Sequence, residues 1–82
     1  MTRTPLAAIR IRAGFKGAPA AAAAIGCTKQ HVYNIERGRV GASNPLLLRM
    51  EQAYGVPIAT LRRAIRSGQR ALLIRKLASH KH

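Results

Sequence analysis

One short segment carries side chains that could recognise the edges of nucleic-acid bases. It runs from Gly26 to Arg39 and reads GCTKQHVYNIERGR. A lysine can donate to O6 and N7 of guanine, and the amides of Gln and Asn can pair with the N6/N7 edge of adenine. The solvated face of an ordinary helix would have a similar composition, so the chemistry depends on where the fold places these residues. The candidates for base contacts are Lys29, Gln30, His31, Tyr33 and Asn34.

The charge of the chain indicates a polyanionic partner. Fifteen Lys and Arg residues face only two acids, Glu36 and Glu51, so the formal net charge of the 82-residue chain is +13. Solubility needs far less charge than this. Nucleic acid is therefore the first candidate partner, and an anionic membrane surface is the second. The partner that the whole sequence leads us to expect is double-stranded DNA.

Other classes of protein find little support in the sequence. The single cysteine, Cys27, excludes an internal disulfide and a cysteine metal cluster. The two acids lie far apart along the chain, the three histidines have no metal-ligand spacing, and no glycine-rich phosphate loop is present. We therefore expect no enzyme, no metal, no cofactor and no small-molecule ligand. No apolar run approaches the roughly 20 residues of a membrane span, and the N-terminus does not resemble a secretory signal.

Glycine and proline divide the chain into helical segments without any strand pattern. Helices are predicted at about residues 5–13, 18–25, 28–37, 45–54 and 58–66. The predicted N-caps of the first, third and fourth are Thr4, Thr28 and Asn44. The stretch from Ser67 to Gln69 is expected to interrupt the fifth helix, after which a sixth helix forms or the chain trails off. The expected fold is all-α, with a domain at 1–66 and a basic extension at 67–82.

The second and third helices are predicted to form a helix-turn-helix unit. Such a unit needs a short turn that contains glycine, a small residue where the helices cross, and an apolar stripe on the second helix. Gly26 supplies the turn, and Ala22 lies four residues before it. Val32 and Ile35 supply the stripe, which leaves the outer face of the third helix available to the major groove.

The segment AAAIGCTKQHVYNIERG, from Ala22 to Gly38, resembles the phage-repressor and Cro-type (Xre-like) helix-turn-helix family. The resemblance extends over about residues 5–65 and implies a five-helix lambda-repressor-like domain. By this resemblance, Lys29, Gln30 and Asn34 touch base edges, while His31 and Tyr33 contact either bases or phosphates. The residues expected to contact phosphates, on resemblance, cap geometry or charge, are Thr28, Lys16, Arg37, Arg39, Ser43 and Asn44.

The same resemblance gives a role to an acid that stands in a strongly basic segment. In the family an arginine of the first helix pairs with the position of Glu36, and Arg10 occupies the matching place. We expect an ion pair between them, and an unpaired surface carboxylate is the alternative. The segment KGAPAA departs from the family, because Ala18 stands near a position where a glutamine usually binds a phosphate. Lys16 or the backbone amides of the second helix could replace that contact.

The basic C-terminal segment interleaves apolar and cationic residues, and it suggests a homodimer. The expected dimer contacts are Ile65, Leu72, Leu73 and Leu77. The segment could instead follow DNA phosphates, be disordered until it binds, or lie on a membrane. The overall expectation is a cytoplasmic bacterial or phage transcriptional repressor that reads a two-fold symmetric operator. A non-specific nucleic-acid-coating protein and an antitoxin or anti-repressor module are the alternatives.

Overall fold

The computed structural model of the protein describes residues 4–79, which form five α helices and no strand. The helices are α1 (Pro5–Arg12), α2 (Ala18–Ile25), α3 (Lys29–Glu36), α4 (Asn44–Tyr54) and α5 (Ile58–Ser79). The all-α fold class is therefore confirmed. Within the described residues, no helix combines the length and the apolar character needed to cross a membrane.

Hydrogen bonds to side-chain caps explain where α1, α3 and α4 begin. The hydroxyl of Thr4 accepts a hydrogen bond from the backbone N–H of Ala7 at 3.2 Å, and the hydroxyl of Thr28 accepts one from His31 at 3.1 Å. Both N-cap predictions are confirmed. The prediction for α4 is wrong by one residue, because Ser43 is the cap and accepts from Leu46. The side chain of Asn44 accepts instead from the guanidinium of Arg62 in α5, at 3.0 Å.

The helices enclose a core of aliphatic side chains with few aromatic rings. Leu6 of α1, Ile25 of α2 and Leu61 of α5 are the largest side chains that are almost fully buried. The predicted stripe of α4 is buried as expected, and Leu46 is buried with it. That stripe comprises Leu47, Met50 and Tyr54. The ring of Tyr54 packs against that of Phe15 with 5.8 Å between centroids.

The helix α5 runs for 22 residues without a break, so the predicted interruption at residues 67–69 is wrong. Gly68 is buried, and it permits α5 to pass directly against the backbone at the end of α3. A Cβ atom on Gly68 would lie 3.1 Å from the carbonyl oxygen of Glu36, and one on Gly38 would overlap the carbonyl of Gly68. Glycine thus serves close packing here instead of ending a helix. The division at residue 66 stays a prediction.

The same packing corrects one expected dimer contact. Ile65 has only 6% of its surface exposed and belongs to the core of its own chain. It lies on the side of α5 that also carries Leu61 and Gly68, and α4 packs against α5. Ile65 is therefore unavailable for contact with a second copy.

Candidate nucleic-acid interface

A three-residue turn sets the geometry between α2 and α3. Gly26 adopts the left-handed conformation with φ of 84°, which an L residue with a side chain adopts only at a cost. The N–H groups of Gly26 and Cys27 both donate to the carbonyl of Ala22, at 2.8 and 3.0 Å. These bonds satisfy a backbone carbonyl at the C-terminal end of α2, and the chain then turns toward Thr28, the N-cap of α3.

Small side chains hold α3 close against α2. Ala18 and Ala22 of α2 form a buried cluster with Val32 of α3. Alanine adds little volume between two helix axes, so the helices can cross at short range. Ile35, on the same side of α3, enters the main core. The buried stripe predicted for α3 is therefore present.

The opposite face of α3 is open and polar. Gln30 and Lys29 are exposed, and His31, Tyr33 and Asn34 are half-buried. With about 100° between successive residues, Gln30 and Asn34 lie roughly opposite Val32. The Nε2 group of Gln30 donates to Oδ1 of Asn34 at 3.3 Å, which joins the two amides one turn apart. The five candidate residues thus share one short helix, and the two amides are in direct contact.

The C-terminal end of α3 keeps an exposed positive charge. The guanidinium of Arg37 lies 5.5 Å from the centroid of the Tyr33 ring, in the range of a cation–π contact. Such a contact limits the conformations of both side chains without neutralising the charge. Arg37 and Arg39 also line a groove of about 540 Å³ together with Arg75 of α5.

Residues 4–64, about three quarters of the chain, match the family described as Helix-turn-helix domain. The protein belongs to the helix-turn-helix domain family. This membership indicates a DNA-binding regulator, and the exposed polar face of α3 is the part of the fold that such proteins place in the major groove. Comparisons with curated proteins and with solved structures find no match.

An ion pair connects the helix-turn-helix unit to α1. The Nε atom of Arg10 donates to Oε2 of Glu36 at 2.7 Å, and NH2 lies 3.5 Å from Oε1. The remaining nitrogen, NH1, donates to the carbonyls of Phe15 and Lys16, both at 2.8 Å. Arg10 therefore links three parts of the chain: α1, the loop before α2, and the end of α3.

This ion pair is buried, which the sequence did not reveal. Arg10 and Glu36 are 6% and 5% exposed. A buried pair has paid a desolvation cost, so removing one partner leaves an uncompensated charge. The hydrogen bonds to the two loop carbonyls supply part of the compensation.

The other acid of the helix-turn-helix protein has a structural role that sequence reasoning missed. The Oε2 atom of Glu51 accepts from the backbone N–H of Ile58 at 3.1 Å, so a carboxylate in α4 satisfies one of the N–H groups in the first turn of α5. Seven residues separate the two, which matches no local capping motif. Neither acid lies free on the surface to oppose DNA phosphates.

The expected phosphate contacts fall into two groups. Lys16, Arg37 and Arg39 carry exposed cationic side chains. Thr28, Ser43 and Asn44 are also exposed, but their side-chain oxygens already accept hydrogen bonds within the protein. The two hydroxyl groups still have a proton to donate. Arg75 was not among the expected contacts, because only the continuous α5 brings it to the groove beside Arg37 and Arg39.

Cys27 has a packing role in the turn. It is half-buried and contacts both hydrophobic clusters. Burial raises the pKa of its thiol, and the positive charge of Arg49 opposes this shift only in part. A thiol with a raised pKa is a poor nucleophile at neutral pH.

Proposed function

We propose that this chain is a sequence-specific transcriptional repressor of the phage-repressor and Cro type, acting in the bacterial cytoplasm or nucleoid. In this proposal α3 enters the major groove, and two copies occupy a two-fold symmetric operator that overlaps a promoter. The contact between Gln30 and Asn34 carries the proposal. A protein that binds only the phosphate backbone gains nothing from two coupled amides on its exposed recognition face.

The amide pair suits the recognition of adenine. When one N–H of Gln30 donates to Asn34, the second N–H and the carbonyl oxygen remain available. These two groups can pair with N7 and N6 of adenine. Lys29 at the start of α3 can donate to guanine, while His31 and Tyr33 flank the pair and contact neighbouring bases or phosphates.

Cationic and polar residues on both sides of α3 position it by contacting phosphates. Lys16 precedes α2, whose N-cap Gly17 has no side chain to cap the helix. The N–H groups of its first turn can therefore bind a phosphate, except at Pro19, which has no N–H. Arg37 and Arg39 follow α3. Thr28, Ser43 and Asn44 contribute more weakly because each already holds a structural contact.

Two copies are needed because one short helix provides too little discrimination for a genome-wide search. Two-fold symmetric half-sites lie about 34 Å apart along B-DNA. Leu73 and Leu77 are 57% and 61% exposed in the single chain, and they offer an apolar contact on α5. Leu72 is half-buried and lines the groove with Arg75, so its share in a dimer contact is smaller.

Selection of bound sites from random duplex DNA tests the proposal. We expect a two-fold symmetric consensus with adenine at the positions that Gln30→Ala relaxes. Gln52→Ala is the matched control, because Gln52 is an exposed glutamine on α4 and not on α3. Bound sequences without a consensus, or equal competition by unrelated DNA, would identify a non-specific coating protein. Repression is then tested with a reporter whose promoter contains the selected site.

A further inference from the structure

From Arg63 to Leu77, helix α5 presents a regular face that points away from the core. Its residues recur at intervals of three, four, three and four, which is the spacing of a coiled-coil contact. We call it the arginine–leucine face, and it consists of Arg63, Arg66, Arg70, Leu73 and Leu77. All five are exposed, and Ile74 beside them is 56% exposed. At about 100° per residue, Leu77 points roughly 160° away from the buried Leu61.

This face divides into two chemically distinct parts. Its first three positions are arginines and its last two are leucines. The leucines and Ile74 form a small apolar patch, well below the roughly 1,600 Å² of a standard protein interface. A second copy that packs on this patch must bring its own arginines nearby.

A second copy offers no carboxylate to neutralise those arginines. The chain has two acidic side chains, Glu36 and Glu51. The first is buried against Arg10 and the second holds the N–H of Ile58. Like charges therefore oppose association, and only screening or an external polyanion can relieve that repulsion.

We propose that the arginine–leucine face is a self-association surface that is activated by polyanion. In dilute salt the arginines keep the copies apart. DNA phosphates, or concentrated salt, neutralise or screen the arginines and allow the leucines of two copies to pack. The inference rests on the proposed binding to a two-fold site, and it adds the condition under which the dimer forms. Operator occupancy then becomes cooperative, because DNA promotes the contact between the copies.

Salt gives a test that does not depend on any operator. The Debye length falls from about 10 Å at 0.1 M to about 3 Å at 1 M salt, so self-association should strengthen about tenfold over this range. Sedimentation equilibrium of the free chain measures the dimer dissociation constant. Binding to DNA changes in the opposite direction with salt, since it releases counterions. A dissociation constant that rises or stays constant with salt would overturn the proposal.

Two variants test whether self-association depends on the arginine–leucine face. Arg70→Glu should strengthen association at 0.1 M salt and flatten its salt dependence, whereas Arg12→Glu makes the same charge change on α1 and should alter both much less. Leu73→Ala combined with Leu77→Ala should abolish association at 1 M salt. Because both leucines are exposed, this variant should keep the helical content of the parent, which circular dichroism checks.

The DNA experiment uses a 30-base-pair duplex of random sequence, so it does not require a specific site. We expect cooperative binding by the parent chain and independent binding by the double alanine variant. Equal cooperativity would overturn the proposal, as would a chain that is monomeric at both salt concentrations and on DNA. If salt-driven dimers form but selection yields no consensus, the proposed repressor function fails while this inference stands.

Discussion

Replacing Arg10 with methionine should destabilise the protein strongly, because it leaves the carboxylate of Glu36 buried without a partner. Both residues are at most 6% exposed. Breaking a buried ion pair by removing one partner costs about 3–5 kcal/mol. The whole domain is expected to have a free energy of unfolding of about 4–12 kcal/mol, so Arg10→Met removes a large part of it.

A second substitution separates the ion pair from the loop contacts. Arg10→Met combined with Glu36→Leu removes both charges, and the remaining cost comes from the carbonyls of Phe15 and Lys16 that lose a donor. Each lost hydrogen bond costs about 1 kcal/mol, so the double variant should be destabilised by only about 2 kcal/mol. The double variant should therefore be more stable than Arg10→Met alone.

Urea denaturation followed by far-ultraviolet circular dichroism measures these free energies. A fixed concentration of trimethylamine N-oxide in every sample keeps the weakest variant folded. Arg12→Met is the control, since Arg12 is an exposed arginine on the same helix and its replacement should change stability by less than about 0.5 kcal/mol. The reasoning is refuted if Arg10→Met costs less than about 1 kcal/mol, or if the double variant is no more stable than the single one.

Three further predictions concern the packing around α5 and the core tyrosine. Gly38→Ala should lower the free energy of unfolding by at least about 2 kcal/mol more than Gly55→Ala does. Both glycines have positive φ, but only a Cβ on Gly38 overlaps the backbone of α5. Equal losses of stability in urea denaturation would contradict the close contact. Glu51→Gln should reduce the free energy of unfolding by about 1–2 kcal/mol by weakening the charge-assisted bond to the N–H of Ile58, and a stability unchanged at pH 7 would argue against that cap. Burial, reinforced by the negative charge of Glu36, raises the pKa of Tyr54 to about 12. Below pH 10 the phenol is neutral in both states, so stability is unaffected, and between pH 10 and 12 the unfolded chain loses its proton first and stability falls. Urea denaturation at a series of pH values should show this loss of stability in the parent chain and a smaller loss in Tyr54→Phe. An identical pH dependence in both would refute the assignment of the raised pKa to Tyr54.

The boundaries of α1, α2 and α3 and the turn between α2 and α3 were predictable because their causes are local. Thr4 and Thr28 cap the backbone within three residues, and Gly26 ends α2 through its own left-handed conformation. The all-α class and the open polar face of α3 follow from the same short-range pattern. The position of the candidate interface on α3 therefore follows from the sequence without any tertiary contact.

Tertiary contacts decided the features that depend on distant parts of the chain. Gly68 does not end a helix, because its missing side chain lets α5 pass against the end of α3. Ile65 belongs to the core and not to a dimer contact, and Glu51 caps a helix seven residues away. Sequence spacing determined local hydrogen bonds and helix faces, whereas the fold decided which faces were covered and which charges were buried. The local pattern predicted the buried stripes of α3 and α4, but the burial of Arg10, Glu36 and Ile65 depends on neighbours that are remote in sequence.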